Sequence, residues 1–200
     1  MPRPKSYVRE EAIEKACFAF WKHGYRSLGI RAIEQIVGLG RFAIRTEFKG
    51  KDGLYLEALK TYRQRGREFV IAPIDAGDDL ATLKSLLNSN VTPYDGGYGQ
   101  FGCFFVNTIV ENAALKNPKF KEQTDGHFDD VRSATVRLIG RAKASGKVRD
   151  EVDAEAAGDF MVGALMAIGL ISRDAGDVAA ARGYVEMANA TIASWGAHNE

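Results

Sequence analysis

Arg41, Phe42, Arg45, Thr46, Lys49 and Lys51 crowd one short stretch of the chain. These side chains suit binding rather than bond-making. On a helix, Arg41 and Arg45 stand one turn apart, and two guanidinium forks there suit phosphate contact or bidentate reading of guanine. Thr46, on the same face, suits a phosphate or a thymine methyl. For Phe42 an intramolecular packing role and an exposed aromatic at a groove both stay open. Ile44 and Phe48 fall on the opposite, inward face. Lys51 follows Gly50 and opens a further helix, whose free N–H groups together with the ammonium make a phosphate clamp. Enzymatic chemistry finds no counterpart. No metal-ligand spacing and no phosphate-cradling glycine loop occurs, and His23, His127 and His198 are scattered without a Ser, Cys or Asp partner. Asp129 and Asp130 follow His127 closely, but neighbouring residues on a helix point apart. Neither an enzyme nor a cofactor is expected.

The charge distribution agrees. Net charge is +1, yet residues 1–67 carry 15 Lys and Arg against 7 Asp and Glu, and residues 68–200 carry 12 against 19. A basic head on an acidic body suits a polyanion bound at one end only. Hydrophobic residues make up 46% of the 200 and charged residues 26%, an ordinary globular balance. Cys17 and Cys103 are expected to be free thiols. The apolar stretch from Phe160 to Ile171 reads as too short and too interrupted by glycine to span a bilayer. The basic start has no apolar run after it, so a cytoplasmic protein with no membrane partner is expected.

The elements that position these residues read as helical nearly throughout, with no sustained alternation of period two. Residues 9–23 carry an apolar stripe of Ile13, Ala16, Cys17, Phe20 and Trp21, closed by Gly24. Short helices follow over 30–37 and 41–48, separated by the turn Gly38-Leu39-Gly40, and Lys49-Gly50 breaks the second. A longer helix runs from 51 to about 70 or 71, and Pro73 to Gly77 marks a boundary. Further helices are predicted over 79–91, capped by Asp78 or Asp79, and over 103–115; others run from Pro118 to about 145, from Asp153 to about 173, and from Asp177 to about 195. The glycine-rich stretch 92–102 reads as a loop. The expectation is an all-α protein of about nine helices. Residues 1–50 form a tri-helical helix-turn-helix, 51–71 a connecting helix, and 72–200 a larger helical domain.

Residues 9–62 resemble the DNA-binding domain of the TetR family. The likeness runs from Glu11-Ala12-Ile13 through Phe20-Trp21-Lys22-His23 and Gly24-Tyr25, along Gly38-Leu39-Gly40, to Phe48-Lys49-Gly50-Lys51 and Leu54. This chain departs from the family pattern at Gly40, where Ser or Thr is usual, at Phe42, where a small residue is usual, at Arg45, where Tyr is usual, and at Leu28, where Thr is usual. Phe101-Gly102-Cys103-Phe104-Phe105-Val106-Asn107-Thr108 with Glu111, and Gly146-Lys147-Val148-Arg149 with Asp153, are similar to segments of a TetR subset. The resemblance implies a homodimeric transcriptional regulator, a repressor released from double-stranded operator DNA by a small-molecule effector. It implies DNA contacts from Arg31, Gly40, Arg41, Phe42, Arg45, Thr46, Lys49 and Lys51.

The resemblance also implies an effector pocket among the middle helices. Phe104, Asn107, Thr108 and Glu111 share one helical face, and Asn107 or Glu111, if buried, needs either a ligand or an internal polar partner. Phe69, Tyr94, Tyr98, Phe128 and Met161 line the same cavity or belong to the core, and Cys103 opens the helix. The last two helices carry more apolar surface than one subunit needs. They are expected to build a four-helix dimer interface from Phe160, Ala164, Ile168, Tyr184, Ala188, Ile192 and Trp195. Two alternatives stand beside this reading: a redox- or electrophile-sensing regulator acting through Cys103 at a helix start, and a helical ligand-binding protein with degenerate DNA binding.

Overall fold

The computed structural model describes residues 7–93 and 98–197, apart from the Tyr98 side chain. Tyr94, the Tyr98 side chain and His198 therefore lie outside the described residues. The described α-helices are α1 (Arg9–His23), α2 (Ile30–Val37), α3 (Arg41–Phe48), α4 (Lys51–Gly66), α5 (Ala72–Ala76), α6 (Leu80–Ser89), α7 (Phe104–Leu115), α8 (Pro118–Ala144), α9 (Ala154–Ala175) and α10 (Arg182–Ala193). A π-helical turn, Arg67–Ile71, joins α4 to α5, so these segments make nine helical runs among the described residues. The one β feature among them is an isolated antiparallel bridge between Val148 and Gly196.

Pro73 does not end the helix that begins at Lys51, as its position suggested. The N–H of Ala72 bonds to the carbonyl of Arg67, five residues back. That wider turn resets the register ahead of Pro73, which then occupies the first turn of α5, where a missing N–H costs nothing. The run stops at Gly77, whose N–H bonds to the carbonyl of Pro73 at 3.0 Å. Arg141 secures this end by donating to the carbonyls of Ile74 (2.9 Å) and Gly77 (2.7 Å). Three other helix starts follow their aspartates. Asp79 accepts from the N–H of Thr82, Asp153 from those of Glu155 and Ala156, and Asp177 from that of Ala179.

The chain divides into two compact units, one made of residues up to Gln64 with Asn107–Thr124, the other of Arg65–Val106 with the residues from Asp125 on. The first takes in more than residues 1–50. Its buried residues include Ala16 and Phe20 of α1, Ile33 and Val37 of α2, Ile44 and Phe48 of α3, Leu54 and Tyr55 of α4, and Phe120 from the start of α8.

The second unit is centred on one apolar cluster. Leu83 and Leu87 of α6, Leu138 and Ile139 of α8, Met161, Ala164 and Ile168 of α9, and Val185, Ala188 and Ile192 of α10 all belong to it. Ala164, Ile168, Ala188 and Ile192, expected at a dimer interface, are thus at most 3% exposed within a single chain. Helix α9, at 22 residues, has the length and composition to cross a bilayer, contrary to the expectation that its apolar stretch is too short. Seven of its residues, Met161 and Ile168 among them, are nevertheless buried.

The Gly102-Cys103 pair has a packing reason. Gly102 lies at φ +68°, and a Cβ there would overlap the carbonyl oxygen of Gly169 and come within 2.8 Å of the Arg173 Cβ. The Arg173 guanidinium donates to the carbonyl of Phe101 at 3.0 Å. Cys103 is half-buried, its Cβ 2.7 Å from where a side chain at Gly169 would begin. Gly102→Ala and Gly169→Ala are each expected to lower stability by about 1–3 kcal/mol through overpacking, measurable by thermal unfolding followed by circular dichroism.

Candidate nucleic-acid interface

The geometry of the first unit begins with its punctuation. Helix α1 closes at Gly24, whose N–H returns to the carbonyl of Phe20. Helix α2 starts after Gly29 and ends at Gly38, which takes the left-handed conformation (φ 71°, ψ 24°) that a side-chain-bearing residue adopts only at a cost. Leu39, buried in the turn, pins it to the core. Helix α3 follows Gly40 and ends at Lys49, itself left-handed at φ 62°, with the N–H of Gly50 reaching back to the carbonyl of Ile44. Leu28, just ahead of the Gly29 that starts α2, is buried.

Helix α3 is sharply two-faced. Ile44 (0% exposed) and Phe48 (3%) anchor it. Arg41, Phe42, Arg45, Thr46 and Lys49 are exposed, as are Arg31 on α2 and Gly40 at the start of α3. Lys51, grouped with them in the sequence, differs from them in burial. Lys51 is half-buried, its ammonium 4.2 Å above the ring of Tyr25. Burial lowers its pKa, while the carboxylates of Glu111 and Asp52 act in the opposite direction. Lys51 thus straps the start of α4 to Tyr25.

The first unit also holds an aromatic group absent from the sequence-based site. Tyr55 of α4 meets Phe20 at 4.8 Å edge-on, Tyr25 at 4.9 Å and Phe120 at 4.7 Å between ring centroids. Its hydroxyl shares a hydrogen bond with the hydroxyl of Thr108 at 2.8 Å, and both residues are buried. Burial raises the Tyr55 pKa, leaving the phenol neutral. The Tyr25 hydroxyl donates to Asp52, and its pKa is raised by burial first and by that bond second. Glu111 of α7 accepts from the N–H of Tyr25 at 2.6 Å and, more weakly, from that of Arg26 at 3.4 Å. Arg9 joins α1 to α4 through Glu57 at 2.6 Å, its guanidinium lying 5.2 Å from the centre of the Phe48 ring.

The remaining expected site residues are scattered among different roles. Thr108 and Glu111 have partners within the first unit, so their polar groups are engaged by the protein itself; Asn107 is half-buried. Phe104 is fully buried, Met161 belongs to the core of the second unit, and Phe69 is 66% exposed on the π turn. Phe128 is buried beside His127 at 5.1 Å, and His127 stacks on Phe105 at 4.6 Å. Phe160 packs edge-on against Trp195 at 5.5 Å, and both are partly buried against the core. Tyr184 is exposed, together with Leu170 and Met187, which the sequence reading missed.

A three-helix, Gly-punctuated head with an exposed cationic third helix, in a chain whose second unit is also all helical, defines the helix-turn-helix class. Residues 80–188 match the family model of the tetracyclin repressor-like C-terminal domain, and the chain belongs to the TetR family. The HTH-type transcriptional repressor ComR of Escherichia coli is 22% identical over 202 residues, covering 96% of this chain and 91% of that protein. A TetR transcriptional regulator from Chloroflexus aurantiacus shares the fold with a TM-score of 0.77 at 24% identity, over 94% of this chain and 92% of that one. The TetR family regulator CifR, solved in complex with 26bp double-strand operator DNA, superposes with a TM-score of 0.79 at 21% identity, over 94% and 98% of the two chains.

Glu111→Ala strips the acceptor from the Tyr25 and Arg26 amides, and an expected loss of about 1–3 kcal/mol follows for the first unit. Trp21 reports on that unit and Trp195 on the other. Denaturation followed by Trp21 fluorescence in a Trp195→Phe background should therefore shift to lower denaturant.

Proposed function

We propose that the chain is a DNA-binding transcriptional repressor that acts as a homodimer and leaves its operator when a small molecule binds its second unit. The observation that carries the proposal is α3, whose Ile44 and Phe48 are locked inward while Arg41, Arg45 and Lys49 stand in solvent. Family membership and the repressor names of relatives support the same reading. Phosphate neutralisation by these cations supplies affinity through counterion release, and base-edge contacts supply specificity. A dimer sets two copies of α3 into successive major grooves about 34–36 Å apart. An effector favours a dimer whose heads no longer match that spacing. The buried aromatic set Phe104, Phe105, His127 and Phe128 is the region of the second unit we assign to effector uptake. The protein is placed in the cytoplasm, where its DNA is.

The dimer surface follows from what one chain leaves uncovered. Leu170 (55% exposed) on α9 and Tyr184 (36%) and Met187 (70%) on α10 are exposed apolar groups, unlike Ala164, Ile168, Ala188 and Ile192. These exposed groups, with the partly buried Phe160 and Trp195, form the proposed interface. Leu170→Asp and Met187→Asp together should yield a folded monomer by sedimentation, with helical circular dichroism retained.

DNA binding is tested by mobility shift on the intergenic DNA upstream of the protein's own gene. Wild-type affinity should fall steeply as salt rises from about 50 to about 200 mM, by about tenfold for every two phosphates the protein neutralises. Arg41→Ala or Arg45→Ala should weaken binding about tenfold or more while leaving dimer stability unchanged. Salt-independent binding, or full affinity in both variants, rejects this assignment.

A further inference from the structure

Phe42 is 80% exposed, more than any other large apolar residue among those described. It occupies the second position of α3, between Arg41 and the half-buried Ala43. One turn on, the Thr46 hydroxyl is committed to the helix itself. It donates to the carbonyl of Phe42 at 2.6 Å, with the carbonyl of Ala43 at 3.2 Å. The Thr46 proton is therefore committed to the backbone, and on this exposed residue the methyl is the side-chain group left to meet a partner. Residues four apart lie side by side on a helix. The exposed face of α3 thus carries two ridges, a cationic one of Arg41 and Arg45 and an apolar one of the Phe42 ring and the Thr46 methyl. Gly40 adds no side chain ahead of them, and a Cβ there would meet nothing within 4 Å.

A ring held in water beside cations gains nothing from phosphate neutralisation. The major groove offers such a ring one apolar partner, the C5-methyl of thymine, and both Phe and the Thr methyl are suited to meet it. We propose that Phe42 and Thr46 read thymine methyl groups, so that each operator half-site carries thymine opposite this ridge. The inference rests on the DNA-binding reading above and adds to it a base preference.

The test uses full-length protein and a duplex enriched by it from a random-sequence pool. That duplex is compared with the same duplex in which deoxyuridine replaces thymidine, which removes only the methyl groups. Wild type should bind the deoxyuridine duplex about fourfold more weakly for each contacted methyl removed. Phe42→Ala should bind the thymidine duplex more weakly and lose most of the difference between the two. Thr46→Ser, which keeps the hydroxyl and drops the methyl, should narrow the difference. Equal wild-type affinity for both duplexes, or an undiminished difference in Phe42→Ala, overturns the inference and leaves DNA binding standing. A change of oligomeric state in Phe42→Ala overturns it as well, by assigning the ring to a contact between copies. Failure to enrich any duplex sinks the DNA-binding reading itself.

Discussion

The head of this protein depends on a carboxylate and a hydroxyl supplied by α7. Glu111 accepts the amide of Tyr25 across 86 residues of sequence, and Thr108 meets the phenol of Tyr55 across 53. Tyr25 and Tyr55 are themselves packed edge to face. A turn between two short helices leaves amides without intrahelical partners, and burying them unpaired is costly. Here the acceptor for the Tyr25 amide comes from a distant helix, α7. The three-helix plan is thus completed by residues well outside it.

That arrangement explains which parts of the fold were legible in the sequence. The limits of α1, α2 and α3 read directly, since each helix has a single apolar stripe and is bracketed by Gly24, Gly29, Gly38, Gly40 and Gly50. The exposed cations of α3 were legible for the same reason, because Ile44 and Phe48 allow only one orientation. The partners of Thr108 and Glu111 were not legible. A helical stripe tells which residues share a face, and says nothing of what that face meets far away in the chain. Grouping Phe104, Asn107, Thr108 and Glu111 as one pocket wall followed from the stripe, whereas the structure divides their roles.

Two other readings failed for local reasons. Pro73 signals a break in a regular α-helix, but a π turn just before it shifts the hydrogen-bond register, and the run continues to Ala76. In α9 and α10 the apolar residues cover two faces. Composition alone cannot say which stripe a single chain buries, and the larger, more regular one, Ala164-Ile168 with Ala188-Ile192, lies inside the protomer. Leu170 and Met187 stood apart from that stripe, which is the one signal that marked them as outward-facing.

Phe42 and Arg45 lie on the outer face of α3 and take no part in how the helix is held. Its anchors, Ile44 and Phe48, and the buried Leu39 keep the helix in place whatever stands on its outer face. Changing that face costs little folding energy, because no core contact depends on it. Arg45 and Phe42 therefore set the character of the exposed face, one toward charge and one toward apolar surface, while the scaffold beneath does not depend on them. The same separation lets a distant carboxylate brace the turn between α1 and α2 without restricting the exposed residues of α3. Recognition can diverge on such a head as long as the Tyr25, Tyr55, Thr108 and Glu111 group persists.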